Sequence, residues 1–85
     1  MTQELDVTET LDARGMNCPM PVMQTKQASD DLAETAILEV LATDPGSMSD
    51  IKGWANGAPG VELVTQHKDD SEEQTVYKHY IRKTE

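Results

Sequence analysis

The chain has 85 residues, 7 Lys+Arg against 16 Asp+Glu and a net charge of −9. A chain of that length makes one small domain that buries only roughly 60% of its unfolded surface, which leaves a thin core and no deep pocket for a large cofactor. The charge argues against a nucleic-acid binder, which needs a basic stripe to displace counterions, and against docking on an anionic membrane surface.

Residues 1–6 are polar and are expected to be a flexible N-terminus, with a single domain over residues 7–85. From Val7 the chain alternates: Val7, Leu11 and Ala13 on one side, Thr8, Thr10 and Asp12 on the other, with Glu9 the imperfect member of the first set. This predicts a first strand ending near Arg14, after which Gly15 allows a turn that other residues resist. Pro19 and Pro21 suit the first turn of a helix, where a missing N–H costs nothing. A helix over residues 19–34 is expected, with Val22, Thr25, Ser29 and Leu32 on one weakly hydrophobic face.

Ala36 to Ala42 reads as a second strand, apolar on both faces and therefore central, broken by Asp44-Pro45-Gly46. Ser47 with Asp50 is close to a capping box and opens a second helix, with Met48, Ile51, Trp54 and Ala55 on one side and Gly57 as its stop. Trp54 reads as a core anchor. Val61 to about His67 and Thr75 to about Arg82 predict two more strands, joined by a short acidic connection. The order β-α-β-α-β-β implies an α/β (α+β) two-layer sandwich, a four-stranded mixed sheet with both helices on one face.

The chain holds one cysteine, Cys18, in Arg14-Gly15-Met16-Asn17-Cys18-Pro19-Met20-Pro21. At a helix N-terminus the positive end of the dipole favours thiolate over thiol, and backbone N–H groups such as those of Met20 and Val22 remain as donors. A free cysteine is also a common small buried hydrophobe, and position alone leaves the two readings level. The flanking prolines favour the first, because a stiff first turn points a thiol outward.

A lone thiol cannot run a dithiol exchange, and one Cys with two His is too few for a structural zinc site, so neither a cofactor nor a metal is expected. His67 and His79 fall on predicted strands and read as ordinary strand residues. Arg14 and Lys26 are the nearest cations in sequence and could lower the thiol pKa or meet an incoming persulfide; the plainer reading is two solvated bases on an acidic protein. Met20 and Met23 could form a soft apolar rim around the sulfur, and Met23 could equally be core.

The segment Leu11-Asp12-Ala13-Arg14-Gly15-Met16-Asn17-Cys18-Pro19-Met20-Pro21-Val22 closely resembles the signature of the TusA/SirA-like sulfur carrier proteins, a Leu-Asp-x-x-Gly-x-x-Cys-Pro-x-Pro run opening the first helix. The likeness continues through Asp44-Pro45-Gly46 and into Tyr77–Lys83. It implies the two-layer β-α-β-α-β-β fold. It also implies that Cys18 takes sulfane sulfur as a persulfide from a donor, a cysteine desulfurase or a rhodanese-type protein, and passes it to an acceptor protein, with Arg14, Gly15, Pro19, Pro21 and Lys26 in support. Whether such a relay protein counts as an enzyme stays open. So does the destination of the sulfur: transfer RNA thiolation, molybdenum cofactor assembly, iron–sulfur metabolism or sulfur oxidation.

The chain departs from typical bacterial members in its acidity, which puts the family's partner set in doubt here. The absence of Phe and the scarcity of Lys and Arg match the composition of proteins from salt-loving organisms. Met1–Asp6 lacks the basic start and apolar stretch of a signal peptide, no apolar run approaches the ~18 residues of a membrane span, and a lone cysteine fits a reducing cytoplasm. Two other functions compete: a non-catalytic regulatory or protein-interaction module of the same fold, and a structural domain whose thiol is buried.

Overall fold

Period-two alternation becomes four strands and three-to-four spacing becomes two helices. They run in the order β1 (Val7–Ala13), α1 (Met20–Asp30), β2 (Ile37–Ala42), α2 (Ser47–Gly57), β3 (Val61–Asp69) and β4 (Val76–Lys83). This computed structural model describes residues 7–17, 20–71 and 73–84. Residues 1–6, expected to be flexible, lie outside the described residues, as do Cys18 and Pro19.

The strands form one mixed sheet in the order β1-β2-β4-β3. β1 pairs parallel with β2, and β4 lies antiparallel between β2 and β3. A parallel neighbour requires a crossover, which α1 supplies between β1 and β2. The helices pack on each other, α1 also on β1 and β2, α2 on β3 and β4, so both cover the same face of the sheet. The expected two-layer sandwich is the observed fold.

The core lies between the layers. β2 is interior and supplies Leu38 and Val40, 1% and 0% exposed; Ile81 of β4 pairs with Leu38, and Ile51 and Ala55 of α2 close over them. Burying each of the larger aliphatic chains stabilises the fold by about 1.5–3 kcal/mol. Met48 is half-buried, and Trp54, also half-buried, packs against the margin of this core, so Trp54 borders the core and does not anchor its centre. The opposite sheet face buries Ile37 and Val76, each 8% exposed, among polar groups that bond to one another. Glu39 accepts from Thr10 Oγ1 at 3.1 Å and from the Tyr80 hydroxyl at 2.8 Å, Lys78 pairs with Asp69, and Arg82 with Glu62.

Three local expectations change. Val7 and Glu9 pair with the consecutive β2 residues Ile37 and Leu38, an irregularity that puts them on opposite faces; Val7 does not join Leu11 and Ala13 on the core side and is 39% exposed. The first helix ends at Asp30, not Glu34. Its end tightens into three-residue bonds, Asp31 N–H to the Ala28 carbonyl and Leu32 N–H to the Ser29 carbonyl, while Lys83 Nζ donates to that same Ser29 carbonyl at 2.8 Å. Leu32 still reaches the core. Finally, Ser47 does not cap α2. Gly46 holds the N-cap position with no side-chain cap bond, and the Ser47 hydroxyl is turned inward to His79.

Candidate functional site

The C-terminal ends of β1 and β2 lie side by side, Ala13 against Ala42, both fully buried. The chain must reverse here to enter α1. It does so in a four-residue turn closed by Met16 N–H to the Ala13 carbonyl, 3.2 Å, with Gly15 at φ +83° in the left-handed third position. Gly15 is therefore present for its conformation, and a Cβ there would meet nothing within 4 Å. The Gly15 N–H donates to Thr43 Oγ1 at 2.9 Å. The turn is thus tied to the corner that follows β2.

Arg14 is held by Asp12. Its Nε and terminal nitrogen each lie 2.9 Å from the carboxylate oxygens, and its backbone N–H donates to the same group at 3.1 Å. The Arg14 side-chain and backbone hydrogen bonds pull the Asp12 carboxyl down to about 2. Beyond Asn17, the Met20 N–H donates to the Asn17 carbonyl at 2.8 Å, so one of the donors expected to be left over at the helix start is already used. Pro21 is buried, and Thr25 Oγ1 donates back to its carbonyl at 2.7 Å.

Met20 and Met23 stand one turn apart on α1, 40% and 51% exposed, which decides Met23 in favour of the surface. Lys26 pairs with Asp30 at 3.5 Å and lines a groove with Trp54, Pro59, Val61 and Lys83. Lys83 pairs with Val61 at the start of β3, so this groove sits at the end of the sheet opposite the Gly15 turn. Arg14 and Lys26 have different acidic partners and are not brought to one point. Among the described residues, no three His, Cys, Asp or Glu side chains converge as metal ligands would. No helix among the described residues is long and apolar enough to cross a membrane.

One buried polar cluster lies apart from the Gly15 turn and was not expected from the sequence. His79 is 0% exposed; its Nε2 lies 3.1 Å from Ser47 Oγ and its Nδ1 3.0 Å from Gln66 Nε2, which also donates to the Met48 carbonyl at 3.0 Å. Burial pushes the imidazole down to about 4. His79 is no ordinary strand residue: it pins the start of α2 to β3 and β4. The signal was its two-residue spacing from Ile81, which sets both on the core face. His67 is exposed and meets Tyr80 edge to face.

A mixed sheet covered on one face by two helices, with a Cys-Pro-x-Pro run in the sequence between the first strand and the first helix, defines the class: a small two-layer α/β domain with a single-cysteine motif. The family profile described as Sulfurtransferase TusA matches residues 9–83. A putative sulfur carrier protein of Halobacterium salinarum is 64% identical over 84 residues, 99% of each chain. The sulfur carrier protein TusA of Pseudomonas fluorescens is 40% identical over 81 residues, 95% of this chain and 92% of that one. Among solved structures, the SirA-like protein of Desulfitobacterium hafniense superposes with a TM-score of 0.74 at 28% identity, covering 92% of this chain and 100% of that one. The chain belongs to the TusA sulfurtransferase family, and these relatives support a sulfur carrier role.

Proposed function

We propose that this protein accepts sulfane sulfur on Cys18 and relays it between proteins in a reducing cytoplasm, with residues 7–85 acting as one carrier domain. The observation that carries the reading is that Cys18 is the only cysteine of the chain and falls within the stretch matched by the sulfurtransferase family. In the loading step the Cys18 thiolate attacks the terminal sulfur of a persulfide on the donor. A new S–S bond forms at Cys18, the donor's S–S bond breaks, and the donor leaves as a thiolate. In the unloading step an acceptor thiolate attacks the outer sulfur of the Cys18 persulfide, and Cys18 departs as the thiolate. No net oxidant or reductant is consumed.

The donor is a cysteine desulfurase or a rhodanese-type protein, and the acceptor is a second protein bearing a thiol. Exposed Met20 and Met23 supply soft apolar surface beside the motif, which suits a neutral sulfur better than a cluster of charge does. Arg14, Gly15, Pro19 and Pro21 shape the approach to the thiol, whereas Lys26 is paired with Asp30 in the groove at the other end of the sheet and takes no part in it.

Incubation with a cysteine desulfurase and cysteine is expected to add the mass of one sulfur atom to the wild-type protein and none to Cys18→Ser. A wild type left unmodified by both donor classes would overturn the reading. A Cys18→Ala variant that still functioned in cells would favour a non-catalytic interaction module. Mixed disulfides trapped in a pull-down would identify the acceptor and with it the sulfur's destination.

A further inference from the structure

The Gly15 turn leads within three residues to Cys18, and the Gly15 N–H donates to Thr43 Oγ1 at 2.9 Å, across 28 residues of sequence. Thr43 follows directly on Ala42, which is fully buried against Ala13. The corner after Thr43 is itself fastened. The Asp44 carbonyl accepts from Ser47 N–H at 2.9 Å, and Asp44 Oδ1 accepts from Gly46 N–H at 3.0 Å. Ser47, 1% exposed, bonds to His79, and His79 to Gln66. A hydrogen-bonded path thus crosses the sheet from the turn after β1, through the β2–α2 corner and β4, to β3.

The path has a chemical use. A glycine turn is soft, because glycine explores left-handed and right-handed backbone with similar ease. A thiol that must attack one sulfur atom along the S–S axis needs a fixed origin, and misplacement by about 1 Å can cost on the order of 100-fold in rate. Arg14 is latched to Asp12 on its own strand, which fixes the turn to β1. Thr43 fixes it to the rest of the sheet.

We propose that Thr43 is a positioning residue for sulfur transfer, holding the Gly15 turn through its hydroxyl so that the segment leading to Cys18 leaves the sheet in one direction. This inference rests on the reading of Cys18 as the sulfur-carrying thiol.

The test compares wild type, Thr43→Val, Thr43→Ala and Thr43→Ser in loading from a cysteine desulfurase over a range of desulfurase concentrations. Thr43→Val keeps the shape and loses the acceptor. Its rate at saturating donor is expected to fall about tenfold, while the donor concentration at half-saturation stays within about twofold, because docking is untouched and only the attack geometry is lost. Thr43→Ala should behave alike, Thr43→Ser should restore the rate, and all four should melt within a few degrees of one another. A Thr43→Val protein that loads as fast as wild type overturns the proposal and leaves Cys18 as the carrier. Loss of fold in both the Val and Ala variants overturns it too, since Thr43 would then serve stability alone. A wild type that never loads overturns both readings.

Discussion

His79 shows how one buried side chain ties chemistry to stability. The Gln66 amide nitrogen donates to the Met48 carbonyl and to His79 Nδ1, so the imidazole is neutral with its proton on Nε2, donating to Ser47 Oγ. Protonating Nδ1 removes the acceptor that Gln66 needs and charges a fully buried group. The folded-state value is about 4 against 6.5 for a free imidazole, so between these limits the unfolded chain binds more protons than the folded one. Stability from this group is therefore complete above pH 6.5 and falls as the pH drops toward 4, by about 3 kcal/mol. Denaturant titrations across that window should show the loss in wild type and a flatter profile in His79→Gln; parallel profiles would refute the assignment. Asp12 and Asp69, both held down to about 2, act in a separate window: their contribution is present above 3.8 and lost as the pH falls through 2. At this scale much was legible. Gly15 as a turn residue and Met20 as surface follow from local chemistry, whereas the burial of His79 and the reach of Thr43 to Gly15 depend on strand pairing.

At the scale of elements, the boundaries were legible wherever local rules set them. The Gly15 turn, the Asp44-Pro45-Gly46 break and the Gly57 stop are such cases. The α1 terminus was not, because Lys83, 54 residues away in sequence from Ser29, competes for the carbonyl that would have continued the helix. The connection to β2 carries a cost of its own. Thr35 lies at φ 72°, a conformation that β-branched residues resist, and is held there by its N–H to the Lys83 carbonyl at 2.8 Å. Thr35→Asn keeps the backbone bond and tolerates the left-handed region. It is expected to stabilise the protein by about 1 kcal/mol, read as a rise of about 4–8 °C in Tm. An unchanged or lower Tm would show that the bond to β4 leaves no strain to relieve.

For the whole molecule, charge is the dominant variable. A net charge of −9 on 85 residues opposes compaction unless it is screened, and ion pairs such as Arg14–Asp12, Lys26–Asp30, Lys78–Asp69 and Arg82–Glu62, exposed or half-exposed, offset little of it. Adaptation to concentrated salt, where the screening length shrinks to about 3 Å at 1 M, is a testable expectation from this composition. Raising potassium chloride to molar concentration should raise the Tm well beyond the gain of a near-neutral domain of the same size, and a flat response would refute the adaptation. Under such screening, long-range steering between partners fades, and recognition falls to short-range contacts such as those Met20 and Met23 offer.

The amino-acid sequence by itself determined the β-α-β-α-β-β order, the interior character of β2 and the segment around Cys18. Alternation, helical spacing and turn residues act over a few neighbours, and each of those signals is local. What only the tertiary structure decided is which side chains meet across the sheet: Thr43 with Gly15, Ser47 and Gln66 with His79, Lys83 with the end of α1. Those pairings join residues 13 to 54 positions apart, and strand register and a shared face bring them together, quantities that no local pattern encodes.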